Sequence, residues 1–242
     1  MQILEFGNKN NKKIILIHGF QSPYQVWDKY IEHYKNDYHI IVPILPGHNP
    51  NQIENFISFE IVAKELEDYL ISEYDNNVYV VYGMSMGGVL VATLWKRKKL
   101  HIQKLIFDGS PLVSINGIMK KIMINFYIGI TQKTLEQAQK TIISKECMTS
   151  FLEVLDNMTE ETIRNCINDV ARFHVTNTIN EPNTTIYFYH GTAMNEMLAQ
   201  KSAIFLSKHY KNVKIKSFKG RGHCELTLLY PDKMINELKH VL

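Results

Sequence analysis

Apolar residues fall along this chain in two rhythms. Short, nearly unbroken apolar runs occur at 13–17, 39–45, 78–82, 104–107 and 185–189, and each is followed within two residues by a glycine. Runs of this length, rich in Val, Ile and Tyr, predict strands buried on both faces, and the glycines predict sharp exits from them. Residues 1–6 and 213–218 are two further expected strands. Between the strands the spacing changes to threes and fours, which predicts helices at 23–34, 60–74, 89–95, 195–210 and 231–241. In the first of these Val26, Trp27, Tyr30, Ile31 and Tyr34 share a face, and in the second Ile61, Leu66, Tyr69 and Leu70 do. Strands alternating with helices imply right-handed crossovers and a mainly parallel sheet covered on both faces.

The alternation stops between 112 and 183, where only helical spacing is found. Ile115, Ile118, Met119, Ile122, Met123, Phe126, Tyr127 and Ile130 form one broad apolar stripe. Further helices are expected at 135–143, 149–155 and 159–173. The last has Thr159 as N-cap, Glu160 and Glu161 in its first turn, and Met158 and Ile163 as a hydrophobic staple. The organisation expected is therefore one domain, with a core made of 1–111 and 184–242 and a helical insertion at 112–183. Most of the stripe is read as seating the insertion, and Met119, Met123 and Phe126 are the residues assigned to a substrate pocket. Met119, Met123 and Met148 are adaptable fillers that suit an apolar site.

Composition narrows the function without specifying it. Apolar residues make up 45% and charged residues 21% of 242, and Lys+Arg of 27 against Asp+Glu of 24 leaves a net charge of +3 spread along the chain. That balance gives no footprint for nucleic acid. The run Lys96-Arg97-Lys98-Lys99 is read as the solvated end of a helix, where cations suit the dipole. Cys147, Cys166 and Cys224 are odd in number and lack metal-ligand spacing, so reduced thiols in a cytoplasmic protein are expected. The N-terminus reads as a strand rather than a signal peptide, and the longest apolar candidate for a membrane span, 115–130, is interrupted by Lys120 and Lys121.

The chemistry concentrates in Gly83-Met84-Ser85-Met86-Gly87, which stands between the apolar run 78–82 and the helical run 89–95. A serine at the tip of a strand–turn–helix is forced into a strained backbone conformation that projects its side chain. Glycines two before and two after it allow the flanking backbones to approach. The helix behind it aims its N-terminal amides at any oxygen that becomes negative beside the serine.

In this context the chain resembles the α/β-hydrolase superfamily, and the resemblance implies a three-layer α/β fold, mainly parallel, with a helical cap formed by the insertion. It implies that Ser85 is the nucleophile of this elbow, and that the His18-Gly19-Phe20 loop after the second strand lends the Phe20 N–H to an oxyanion hole completed by the N–H of Met86. His223, in the Gly220-Arg221-Gly222-His223 loop after the last strand, takes the position of the general base. His18 is read as a brace for its loop, and His48, in Pro46-Gly47-His48, as turn chemistry near the mouth of the site. Glu196, the first carboxylate after the glycine that ends the penultimate strand, is taken as the acid although Met194 stands at the commoner spot, and Asp108, at the end of the strand after the elbow helix, is the alternative. The expected activity is hydrolysis of a small carboxylic ester through an acyl-enzyme, without metal or organic cofactor. C–C bond hydrolysis, acyl transfer, or a non-catalytic binding role on the same fold are the alternatives.

Overall fold

The computed structural model describes residues 1–52, 54–131, 148–176 and 183–242; the helix expected at 135–143 and Cys147 lie outside the described residues. Strands β1 (Gln2–Phe6), β2 (Lys13–Ile17), β3 (His39–Ile44), β4 (Asn77–Met84), β5 (His101–Asp108), β6 (Thr185–Gly191) and β7 (Val213–Phe218) form one sheet in the order β1-β3-β2-β4-β5-β6-β7. β1 is antiparallel to β3, and all other pairings are parallel. Ile17 in β2 and Phe107 in β5 both pair with Gly83 at the end of the central strand β4. That register brings three strand ends to one place on the carboxyl edge of the sheet, where ligands bind in open α/β folds.

Because successive side chains in a strand point to opposite faces, each strand feeds two cores. Ile15, Ile17, Val81, Leu105 and Phe107 pack with helices α2 (Phe59–Glu73) and α3 (Met86–Arg97) on one face. Ile14, Leu16, Val80, Tyr82 and Ile106 meet Trp27, Tyr30 and Ile31 on the other, within and beside α1 (Asp28–Tyr34).

Between β5 and β6 the described helices are α4 (Gly117–Thr131), α5 (Met148–Asn157) and α6 (Glu160–Arg172). Their common centre is Ile124, Val154, Met158, Ile163 and Ile167. Thr159 caps α6 by accepting the Thr162 N–H at 3.0 Å, and Met158 and Ile163 are both buried in that centre. α6 is tied to the start of α2 and the loop before it by polar bonds: Thr162 and Asp169 accept the N–H groups of Phe56 and Phe59 at 3.2 and 2.7 Å. The two ends of the excursion also bond to each other, Val175 N–H to the Leu112 carbonyl at 3.0 Å and Ile115 N–H to the Ala171 carbonyl at 2.9 Å.

Several expectations are corrected. The α4 stripe is not uniformly inward: Ile118, Ile122 and Phe126 are 77%, 57% and 58% exposed, and Ile124 is the buried residue of that helix. A helix apolar around most of its circumference does not reveal by spacing which arc faces inward. In α2 Ile61 is 52% exposed, while Phe59, Val62, Ala63, Leu66 and Leu70 face the core. Beyond the His223 loop, residues 225–229, to which the sequence assigns no element, form a short helix α8 (Glu225–Leu229), followed by α9 (Pro231–Leu238).

Arg97 is not a solvated end-of-helix cation. Its Nε donates to both carboxylate oxygens of Glu67 at 3.0 and 2.9 Å, and its Nη1 reaches Glu60 at 2.8 Å. Burial pushes the Glu67 carboxyl up despite the bonds from Arg97, so the pair holds a desolvated charge between α2 and α3. Arg97→Ala strands the buried Glu67 carboxylate, and because Arg97 itself is partly exposed the expected cost is roughly 1–3 kcal/mol, that of leaving a buried polar group unsatisfied. Arg97→Met combined with Glu67→Leu is expected to cost much less. Urea unfolding midpoints decide it, and equal losses in the single and double variants contradict the account.

Candidate active site

One residue separates β4 from α3, and that residue is Ser85, with φ 52° and ψ −118°. This left-handed backbone is costly for a residue with a side chain and persists where the surroundings over-determine it. Here they do. A Cβ on Gly83 would stand 2.6 Å from the Gly87 backbone, and one on Gly87 would stand 2.5 Å from the Ile17 carbonyl oxygen. Strand β4, helix α3 and the exit of β2 therefore touch backbone to backbone, and the Ser85 amide is fixed by the Asp108 carbonyl at 2.7 Å.

The loop after β2 lies directly against the serine, since a Cβ on Gly19 would be 3.4 Å from the Ser85 Cβ. His18 is buried; its Nε2 accepts the Leu45 N–H at 3.1 Å, so its Nδ1–H donates to the Gly19 carbonyl at 2.9 Å. In a planar trans peptide C=O and N–H point in opposite directions, so the bond to Gly19 O also aims the Phe20 N–H away from His18. One peptide further on, the Gln21 N–H donates to His48 Nε2 at 3.1 Å, and His48 Nδ1 bonds the Pro46 carbonyl. Both peptides flanking Phe20 are thus pinned by buried imidazoles 5.0 Å apart. Burial pushes His18 down to about 4; burial, with His18 beside it, pushes His48 down to about 3.

His223 follows β7 in a loop held at several points. Gly220 N–H donates to Thr192, and Gly222 N–H to the Glu225 carboxylate, both at 2.7 Å. Opposite stands Gly109, φ 61°, where a Cβ would meet Cys224 Sγ at 2.7 Å and the imidazole Cε1 at 3.0 Å. A side chain at 109 and the ring of His223 therefore compete for one space. The imidazole Nε2 lies 2.8 Å from Ser85 Oγ, and its Nδ1 bonds Glu196 Oε1. A carboxylate only accepts, so Nδ1 carries the hydrogen and Nε2 turns its lone pair toward the serine hydroxyl. Glu196 closes the short turn Met194–Glu196 ahead of α7 (Met197–His209), is buried, and also accepts the Gly191 N–H at 2.8 Å.

Of the two carboxylates weighed from the sequence, the structure brings Glu196 to His223 and places Asp108 elsewhere. The Asp108 carboxylate accepts the Thr227 hydroxyl and the Tyr82 hydroxyl, the latter at 3.5 Å, and does not cap its own turn, since the Gly109 N–H goes to the Tyr189 carbonyl. Burial pushes Asp108 up to about 7, with the Thr227 bond opposing it. Met194, at the commoner acid spot, is 91% exposed. The partners Tyr82, Thr227 and Glu225 were not anticipated, because each looks like an ordinary strand or helix residue until the fold brings it to the loop. Met123 is half-buried against the α4–α6 centre, which Phe20 also touches. Met119 is half-buried and Phe126 turns outward. Among the described residues no group of three His, Cys, Asp or Glu side chains is placed to hold a metal ion, and no helix is long and apolar enough to cross a membrane.

A parallel sheet with a serine at the β4–α3 elbow, and a histidine and an acid delivered from the β7 and β6 ends, defines an α/β-hydrolase architecture. The sequence profile of the alpha/beta hydrolase fold matches residues 12–207, and the chain belongs to that family. Over 136 residues it is 29% identical to a pimeloyl-[acyl-carrier protein] methyl ester esterase of Legionella pneumophila, an alignment covering 54% of this chain and 53% of that protein. The chain thus spans about half the length of the curated relatives it matches. A solved α/β hydrolase family protein from Desulfitobacterium hafniense superposes with a TM-score of 0.80 at 18% identity, over 99% of both chains. A carboxylesterase structure from Nitrososphaera gargenis gives 0.76 at 14% identity, over 99% of this chain and 93% of that one.

The buried titratable groups make stability depend on pH. His18 and His48 have folded values below their unfolded value of about 6.5, so below that pH the unfolded chain binds two protons that the native one refuses. Asp108 acts in the opposite sense: it is protonated in the native state below about 7, and in the unfolded chain only near 4. One net proton remains, and between roughly pH 6 and 4.5 these three groups are expected to lower stability by about 1.4 kcal/mol per pH unit. Asp108→Asn removes the opposing group and should steepen the slope by up to about 1.4 kcal/mol per pH unit. Urea midpoints from pH 7.5 to 4.5 test this, and a shallower slope in the variant contradicts it.

Proposed function

We propose that the protein is a serine hydrolase that cleaves a small carboxylic ester through an acyl-enzyme. The observation that carries this reading is the continuous hydrogen-bonded chain from Ser85 Oγ through His223 to the buried carboxylate of Glu196. A serine hydroxyl is a weak nucleophile at neutral pH; His223 Nε2 takes its proton as Oγ attacks the ester carbonyl and returns it to the departing alcohol. Glu196 then faces an imidazolium and stabilises it, while its buried position and the Gly191 bond keep the ring oriented. The oxygen that becomes negative is received by the N–H of Met86 at the start of α3 and the N–H of Phe20, each such donor contributing on the order of 10²–10³ in rate. Water hydrolyses the acyl-enzyme by the same route, with His223 again as base. No step calls for a metal or organic cofactor.

In this reading the segment 112–183 is a cap, and Met123, which packs against the same α4–α6 centre as Phe20, lines the acyl side of the pocket. The buried free thiols of Cys166 and Cys224 suit a reducing compartment, so we assign the protein to the cytoplasm.

Ser85→Ala is expected to abolish turnover of p-nitrophenyl acetate and labelling by a fluorophosphonate while the far-UV spectrum is unchanged. Turnover at the wild-type rate by the purified variant contradicts the proposal. A separate comparison assigns the acid: Glu196→Gln is expected to slow acylation on the order of 10⁴-fold, as in serine proteases that lose their aspartate, and Asp108→Asn far less. The reverse ranking transfers the role to Asp108. Met123→Ala should shift the preference among p-nitrophenyl acetate, butyrate and octanoate, and an unchanged profile removes Met123 from the pocket.

A further inference from the structure

Gln21 has three features that the reaction outlined above does not use. Its backbone is left-handed, φ 55°, in a residue that is not glycine. It is buried, and its N–H is the one held by His48. Its side-chain amide crosses to the helical excursion and donates to the Tyr127 carbonyl of α4 at 3.1 Å. The neighbouring Phe20 ring packs edge-on against Tyr127 at 4.9 Å and against His48 at 5.7 Å. The same two-residue segment that carries the Phe20 N–H, in the loop lying against the serine, therefore also forms the joint with α4.

A left-handed backbone in a buried non-glycine residue requires compensating contacts. Glycine at this position would satisfy the backbone without strain but would have nothing to offer Tyr127. Glutamate would match the reach but, when ionised, could only accept, and the carbonyl needs a donor. Glutamine supplies reach and donor together, and its carbon chain bridges the loop to the helix without placing a charge in a buried joint.

We propose that Gln21 is a positioning residue that couples the seating of α4 to the aim of the Phe20 amide, so that the excursion controls turnover and does more than bound the pocket. This rests on the reading of Phe20 as an oxyanion donor. A displacement of α4 pulls on the Gln21 side chain and, through the Gln21 Cα, turns the Phe20–Gln21 peptide about its bond to His48, so the movement reaches Phe20. Developing negative charge is sensitive to such shifts, since a donor must lie at hydrogen-bond distance from where the oxyanion will be.

The test compares wild type, Gln21→Gly and Gln21→Glu. The glycine variant relieves the backbone strain and is expected to fold; the glutamate variant keeps the length and loses the donor. Both are expected to lower kcat for p-nitrophenyl acetate about tenfold with KM within about twofold, because acetate is too small to depend on the pocket wall. Amide exchange in α4 (Gly117–Thr131) should quicken in both while that of β4 stays as in wild type. A second comparison adds Ile124→Ala, which loosens α4 from its own centre. It should lower kcat in the wild-type background and have no further effect in Gln21→Gly, since the joint is already cut. Unchanged kcat in Gln21→Gly, unchanged exchange in α4, or additive effects of Ile124→Ala and Gln21→Gly would each overturn the coupling. These outcomes are distinct from failure of the hydrolase reading, which shows as a wild-type protein without turnover or fluorophosphonate labelling, or as activity that survives Ser85→Ala.

Discussion

The whole arrangement depends on backbone atoms meeting where β4 turns into α3. With no side chain at Gly83 or Gly87, helix and strand approach until the only outlet for the intervening residue is a left-handed conformation, and Ser85 takes it. Two consequences follow from this contact. The serine oxygen is thrust out at the carboxyl edge of the sheet, and the first turn of α3 is aimed at whatever lies beside it. The exit of β2 belongs to the same contact, because Gly87 packs against the Ile17 and His18 carbonyls. The loop carrying Phe20 and the elbow carrying Ser85 are thus one steric unit, and a side chain added at either glycine would separate them.

Around that unit the remaining parts are delivered by the sheet and tuned by burial. Parallel pairing brings the ends of β5, β6 and β7 to the same edge, and three short connections then place a glycine, a carboxylate and an imidazole within reach of the serine. Burial sets the protonation of three of the polar groups there. His18 and His48 remain neutral and serve as hydrogen-bonding struts. Asp108 is driven toward its protonated form in a pocket with Thr227 and Tyr82, next to a second carboxylate that faces His223. Two acids lie near one imidazole, and the fold separates them by giving only one of them a path to it.

Much of this was legible from residue order. The apolar runs marked the strands because a strand buried on both faces has little choice of composition, and Gly-x-Ser-x-Gly between a strand and a helix marked the elbow because only glycines fit there. His223 was legible for a similar reason, standing in a glycine-flanked loop after the last strand. The choice between Glu196 and Asp108 was not legible, because both follow a strand end and their difference lies in which direction a short turn points them. The facing of α4 was hidden by its own composition, with apolar residues on nearly every side. Arg97 was misjudged because a cation at a helix end usually meets water, and its partner Glu67 lies thirty positions away along the chain. Gln21 carried no signal in the sequence; its significance comes from a backbone angle and from a carbonyl on an element 106 residues distant.

The two bonds that join the ends of the helical excursion, Leu112 with Val175 and Ile115 with Ala171, separate its fate from that of the sheet. A segment whose ends are already fastened can gain or lose residues at little cost, because loop-closure entropy grows only with the logarithm of length, about 0.6 kcal/mol for each doubling. Insertions and deletions between those anchor points leave the strand register and the elbow as they are where they spare the bonds from Tyr127 to Gln21 and from Thr162 and Asp169 to Phe56 and Phe59. A covering of another shape can therefore be carried on the same reactive centre, and the four backbone groups of those two bonds mark where it would be joined.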